Sequence, residues 1–106
     1  MPERGVRVGR VVFRNGGPLS FIAGPCSLES EALLRRVGRS LKADFAKLKI
    51  PFVLKCSFDK ANRTSLSSYR GPGVQKGLEI LGRVARELGV PVLTDVHEPA
   101  QAALAA

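Results

Sequence analysis

Three short apolar runs, SFIAG at 20–24, PFVLK at 51–55 and PVLTD at 91–95, are separated by amphipathic stretches, and this alternation constrains the fold most. Between the first two runs, Leu33, Leu34, Val37, Leu41, Phe45 and Leu48 recur every three or four positions. Arg35, Arg36, Arg39 and Lys42 fill the opposite side, which predicts an amphipathic helix over about residues 29–48. Glu29 and Glu31 suit the positive end of its dipole, and Ser27 or Ser30 is placed to cap it. A second helix is predicted over about 74–88 from Val74, Leu78, Leu81, Val84, Ala85 and Leu88, with Gly89 as its terminating glycine. A third begins near Pro99. Short runs buried on both faces and joined by helices mean parallel strands with right-handed crossovers, an α/β fold.

Ahead of these units, VRVGRVVF at 6–13 alternates loosely and is followed by Asn15-Gly16-Gly17, a strong turn signal. A short N-terminal β-hairpin over about 6–19 is therefore expected, with Phe13 and the valines covering apolar surface. The βα units then run over about 20–48, 51–88 and 91–106, within one domain spanning 1–106. Three such units do not close a (β/α)₈ barrel, which takes about 250 residues. The ending EPAQAALAA, inside the third helix, leads us to expect a piece of a larger fold, inactive and poorly stable alone.

The chain of 106 residues has 44% hydrophobic and 25% charged residues, a globular composition. The N-terminal MPERGVRVGR is charged and lacks the apolar core of a secretory signal, and no apolar run is long enough for a spanning helix, so a cytoplasmic location without membrane contact is expected. Seventeen basic against nine acidic residues give a net charge of +8, which suits anionic partners. The basic residues are scattered, and the only aromatics are five Phe and one Tyr, so nucleic-acid binding is not expected. A small basic anion- or nucleic-acid-binding module is the non-enzymatic alternative.

Strand alternation sorts the side chains by face. Phe52, Leu54 and Cys56 share one face, with Val53, Lys55 and Ser57 on the other. Leu93, Asp95 and His97 lie together, opposite Val92, Thr94 and Val96. An unpaired lysine cannot face a packed helix layer without a large desolvation cost, so Lys55 belongs on the interior side near its strand's end. Asp95 and His97 follow by the same logic, at the end where such barrels do their chemistry. Cys56 then faces the helices as a small buried hydrophobe.

Residues 57–72 are long for a βα connection. Lys55, Lys60, Arg63 and Arg70 outnumber Asp59, and Ser57, Asn62, Thr64, Ser65, Ser67 and Ser68 add neutral hydrogen-bonding groups. Arginine binds phosphate as a fork and lysine as a point charge, so this loop reads as a phosphate-ligand site, with a solvated surface loop as the alternative. Cys26, in Ala23-Gly24-Pro25-Cys26-Ser27, faces the mouth, either as a structural cysteine or as a metal thiolate.

The stretches IAGPCSLES (22–30), FVLKCSFDKANRTSLSSYRGPG (52–73) and LTDVHEP (93–99) closely resemble the 3-deoxy-D-manno-octulosonate 8-phosphate synthase family, also called 2-dehydro-3-deoxyphosphooctonate aldolase. The resemblance implies the first three βα units of a (β/α)₈ TIM barrel with an N-terminal hairpin across its base. It implies condensation of phosphoenolpyruvate with D-arabinose 5-phosphate, releasing phosphate, in the Kdo branch of lipopolysaccharide synthesis. Lys55 and Lys60 would bind the phosphate and carboxylate of phosphoenolpyruvate, and Asn62 would lie between the substrates. Arg63 and Thr64 would hold the sugar phosphate across the interface of a homotetramer, serine being commoner than threonine at position 64. Asp95 would stand near the sugar hydroxyls and the metal, with His97 lining the pocket. Cys26 resembles the ligand of the metal-dependent class, which binds a divalent metal of the Zn, Fe or Mn type. The His, Glu and Asp that complete that ligand set come much later in the family's chain, and His97 is not their counterpart; no organic cofactor is implied. The alternative enzyme, 3-deoxy-D-arabino-heptulosonate 7-phosphate synthase, carries K-P-R where this chain has Lys60-Ala61-Asn62-Arg63.

Overall fold

The computed structural model describes residues 4–58 and 73–106. Strands β1 (Val6–Val8) and β2 (Val11–Phe13) pair antiparallel, with Val6 opposite Phe13 and Val8 opposite Val11. The reversal therefore falls at Gly9-Arg10, inside the apolar run, and not at Asn15-Gly16-Gly17. Gly9 at φ 60° takes the first loop position, where a tight hairpin calls for glycine. Asn15-Gly16-Gly17 makes a separate turn, closed by the Gly17 N–H donating to the Arg14 carbonyl at 3.2 Å. Of the ribbon's apolar residues only Val11 is fully buried, while Val6 stands 62% exposed.

The remaining strands, β3 (Phe21–Ala23), β4 (Phe52–Lys55) and β5 (Val92–Leu93), form one parallel sheet in the order β3-β4-β5. Helix α1 (Glu31–Leu48) joins β3 to β4, and α2 (Val74–Leu88) leads from the far side of residues 59–72 into β5. Helix α3 (Pro99–Ala105) follows, opened by a reciprocal cap between Glu98 and Gln101. Ser30, not Ser27, caps α1, its hydroxyl accepting from the Leu33 N–H at 3.0 Å. Gly89 ends α2 in the left-handed conformation, as expected, but α1 ends on Lys49, a left-handed non-glycine residue at φ 56°.

One face of the sheet packs against both helices. Phe52, Leu54 and Cys56 of β4 and its exit join Leu34 of α1 and Ile80, Leu81, Val84 and Leu88 of α2 in a single core cluster. Phe45 of α1 stacks on Phe52 at 4.9 Å and lies 5.3 Å from Phe21. The expected two-fold alternation is thus realised, and it leaves Lys55 on the opposite face. On that face Ile22 is 52% exposed, while Val53, flanked by both neighbouring strands, is fully buried.

The ribbon sits at the strands' N-terminal end. Gly9 approaches Pro91, and the Arg10 guanidinium donates to the Gly89 carbonyl at 3.0 Å. The Lys42 ammonium donates to the Leu88 carbonyl. Two cations therefore satisfy carbonyls that the end of α2 leaves without helical partners, where the dipole favours positive charge. No helix among the described residues is long and apolar enough to cross a membrane.

Candidate active site at the strand C-terminal ends

Glycine 24 sets the shape of the sheet's C-terminal edge. Ala23 pairs with Leu54 and Ser27 with Ser57, so Gly24, Pro25 and Cys26 span the gap that Lys55 and Cys56 span opposite. The extra residue makes a bulge of the kind that re-aims side chains. A Cβ on Gly24 would lie 1.8 Å from the Lys55 carbonyl oxygen, so only glycine fits. On the bulge Cys26 is exposed, while beyond it Ser27 and Leu28 turn inward and are buried. Cys56, by contrast, is 1% exposed, and burial pushes its thiol up to about 11. It is a protonated core residue, as alternation predicts.

The next two strands bring the polar residues together. Lys55 pairs with Leu93, which puts Asp95, two residues on, on the same side. The apolar run PVLTD keeps strand pairing only through Leu93, so Thr94, Asp95 and His97 leave from the strand's end. Asp95 Oδ2 lies 3.7 Å from His97 Nε2. Its Oδ1 is shut off from solvent and makes no hydrogen bond among the described residues. Burial pushes the Asp95 carboxyl upward, but the Ser57 hydroxyl, its own backbone N–H, Lys55 and His97 together outweigh that, and its pKa is lowered. Asp95 is therefore a carboxylate at neutral pH. Phe58 backs the His97 ring with centroids 6.0 Å apart. The His97 N–H donates to Gln101 Oε1 at 2.8 Å, tying the segment to α3.

Of the residues singled out in the sequence, Cys26, Lys55, Asp95 and His97 all stand at this one edge. Lys60, Asn62, Arg63 and Thr64 lie outside the described residues. The sequence counted Ser57 only among the loop hydroxyls; at 4% exposure it is instead buried in the sheet, bridged to Ser27. Its signal was the alternation that put it on the face of Lys55. A thiol, a carboxylate, an imidazole and an ammonium at the end of parallel strands can hold an anionic substrate, orient hydroxyl groups and offer metal ligands. The described residues contain no group of three or more potential metal ligands, so Cys26 can supply one bond to a metal but not a centre.

Parallel strands carrying a charged cluster at their C-terminal ends define a βα-type enzyme scaffold, and the comparison with known proteins gives it a family. Residues 5–106 match the DAHP synthetase I family, and the chain belongs to it. More particularly, it is 60% identical over 81 residues to the 2-dehydro-3-deoxyphosphooctonate aldolase of Legionella pneumophila (strain Corby), covering 76% of this chain and 30% of that protein. The same-named protein of Koribacter versatilis is 55% identical over 91 residues, covering 85% of this chain and 33% of the relative. That of Desulfotalea psychrophila is 52% identical over 96 residues, covering 91% and 34%. The resemblance carried by the three motifs is borne out, and the heptulosonate alternative is not favoured. The chain spans about a third of the length of these curated relatives.

Proposed function

We propose that the full-length protein is a 3-deoxy-8-phosphooctulonate synthase, joining phosphoenolpyruvate to D-arabinose 5-phosphate with release of phosphate. The single observation that carries this reading is the convergence of Lys55, Asp95 and His97 on one strand edge, in a chain 60% identical over 81 residues to an octonate aldolase. The described sheet then forms part of a (β/α)₈ barrel, the hairpin lying at its base and β3, β4 and β5 opening onto its catalytic mouth. Residues 1–106 form one partial barrel domain in this reading.

Lys55 and Lys60 neutralise the phosphate and carboxylate of phosphoenolpyruvate. Arg63, with the Thr64 hydroxyl, takes the sugar phosphate, and Asn62 separates the two substrates. C3 of phosphoenolpyruvate bonds to the aldehyde carbon, so the chief task of the site is to bring two anions into bonding range, which only dense positive charge permits. Asp95 accepts hydrogen bonds from the sugar hydroxyls, and His97 fixes one edge of Asp95. Cys26 contributes a thiolate to a divalent metal, which when bound polarises the aldehyde or an attacking water. A homotetramer in the cytoplasm completes the reading. Phosphate release by the full-length protein, measured with phosphoenolpyruvate and each sugar phosphate in turn, tests it. We expect turnover with arabinose 5-phosphate; turnover with erythrose 4-phosphate alone would reverse the choice in favour of the heptulosonate enzyme.

A further inference from the structure

The side-chain carbonyl of Gln101 does more than a helix cap requires. Helix α3 opens on a reciprocal cap in which the Glu98 side chain accepts from the Gln101 N–H and Gln101 Oε1 accepts from the Glu98 N–H at 3.3 Å. The same oxygen takes a second and shorter bond, 2.8 Å, from the N–H of His97, which lies outside the helix. A carbonyl oxygen has two lone pairs, so it can serve two consecutive N–H groups. Capping alone needs only the first of them.

The junction around this oxygen is stiff. Pro99 opens α3 and confines Glu98 before it to extended backbone, seen at φ −136° and ψ 145°. The Gln101 N–H also donates to the Glu98 carbonyl at 3.0 Å, and α3 packs against α2. At the other end of the segment, Leu93 is the last paired residue of β5, its carbonyl accepting from the Cys56 N–H at 3.4 Å. Asp95 leaves from the paired end and His97 from the capped end, and their side chains meet at 3.7 Å. Both anchors therefore bear on the gap between carboxylate and imidazole.

We infer that Gln101 is a positioning residue: by holding the His97 main chain to the start of α3, it sets how the imidazole meets the Asp95 carboxylate for the reaction at this edge. The inference deepens the proposed function and, for its kinetic part, rests on it. Gln101 needs no contact with substrate for this. Its carbonyl bonds the His97 peptide, while the imidazole keeps its own contacts with Asp95 and Phe58. Displacement of about 1 Å at such groups costs on the order of a hundredfold in rate.

The test separates the His97 bond from the cap, in the full-length protein. Gln101→Met keeps the side chain's length but offers at best a weak acceptor, so both bonds go. Glu98→Ala removes the other half of the cap and leaves the bond to His97. Gln101→Glu keeps an acceptor oxygen and still closes such a cap. Steady-state kinetics, folded fraction by circular dichroism and the ¹⁵N signals of the His97 imidazole, assigned with His97→Gln, are read for each. We expect Gln101→Met to lower kcat by about tenfold with little change in the KM for phosphoenolpyruvate, and to shift the His97 signals. Glu98→Ala should leave both near wild type, and Gln101→Glu should keep most of the rate. If Gln101→Met does not fold, Gln101→Asn, whose carbonyl stops one methylene short, takes its place in the same readings. Wild-type kcat with unmoved His97 signals would overturn the inference. So would equal losses in Gln101→Met and Glu98→Ala, which would leave Gln101 only a helix cap, or a loss in Gln101→Glu as large as in Gln101→Met. A wild-type protein that fails to turn over phosphoenolpyruvate with arabinose 5-phosphate, while the His97 signals respond to Gln101→Met and not to Glu98→Ala, would sink the proposed function and leave the positioning of His97 intact.

Discussion

Two cysteines in one chain behave as different residues because the backbone carries them to different places. Cys26 rides on a bulge at the sheet edge and meets solvent; Cys56 is pressed between the sheet and two helices, with its thiol raised to about 11. Thiolate fraction and access together decide thiol reactivity. Under native conditions at pH 8, a small alkylating reagent should therefore label Cys26 and leave Cys56 unmodified, and both should react once the chain is unfolded. Mass spectrometry of the labelled peptides checks this, and native labelling of Cys56 would contradict the assigned faces. The positions of these cysteines, and of Lys55 and Asp95, could be read from alternation because a strand's side chains have only two sides to choose from. Ser57 was harder to read, since a serine fits a solvated loop as well as a buried hydrogen bond. Only the pairing of Ser57 with Ser27, which holds it inside the sheet, decides between them.

At the scale of elements, α1 and α2 are joined on their outer faces by charge. The Arg35 guanidinium donates to Glu31 at 2.6 Å and to Glu87 at 2.6 and 3.0 Å, while Arg83 donates to Glu31 at 3.0 and 2.6 Å. The hydrogen bonds from Arg83 and Arg35 lower the Glu31 carboxyl from 4.5 to about 2, and Arg35 lowers Glu87 as well. A depressed carboxyl pKa contributes stability that is fully present above its unfolded value and is lost as pH falls toward the folded one. The contribution of Glu31 should therefore hold above about pH 4.5 and fade between there and about pH 2. Because the pairs remain in contact with water, salt should weaken them and their contribution should be modest. Thermal melts of the full-length protein from pH 7 to 2 check this: Glu31→Gln should lower Tm slightly at pH 7 and flatten its fall in acid. An unchanged acid profile in that variant would mean that the clasp carries no stability.

The helices were legible because their apolar stripes repeat over four turns and more. The hairpin was legible in kind but not in place: a glycine buried in an apolar run, Gly9, outcompeted a stronger local turn signal. It won because reversal there sets Val6 opposite Phe13 and buries Val11. The third strand was read too long, since apolar alternation continues through Thr94 and Asp95 although pairing stops at Leu93.

For the whole molecule, the two faces of the sheet have different fates. One is sealed by α1 and α2; the other presents Lys55, Asp95 and the exposed Ile22 at a mouth that the family reading fills with two phosphorylated substrates. The net charge of +8 suits that occupancy, since two anions can share a site only if cations offset their repulsion. The sequence showed which residues could do this but not how Asp95 and His97 are held, because contacts between neighbouring strand exits depend on register.

The central claim of the proposed function, that Lys55 at this edge and Lys60 in the loop that follows it in sequence hold phosphoenolpyruvate, is tested most directly by calorimetric titration of the full-length protein with phosphoenolpyruvate. Lys55→Ala and Lys60→Ala should be titrated beside the wild type. Removing one charged hydrogen-bond partner costs about 1.5–3 kcal/mol, so each variant should bind roughly ten- to hundredfold more weakly, and wild-type binding should weaken as salt rises. Wild-type affinity in both variants would contradict the claim.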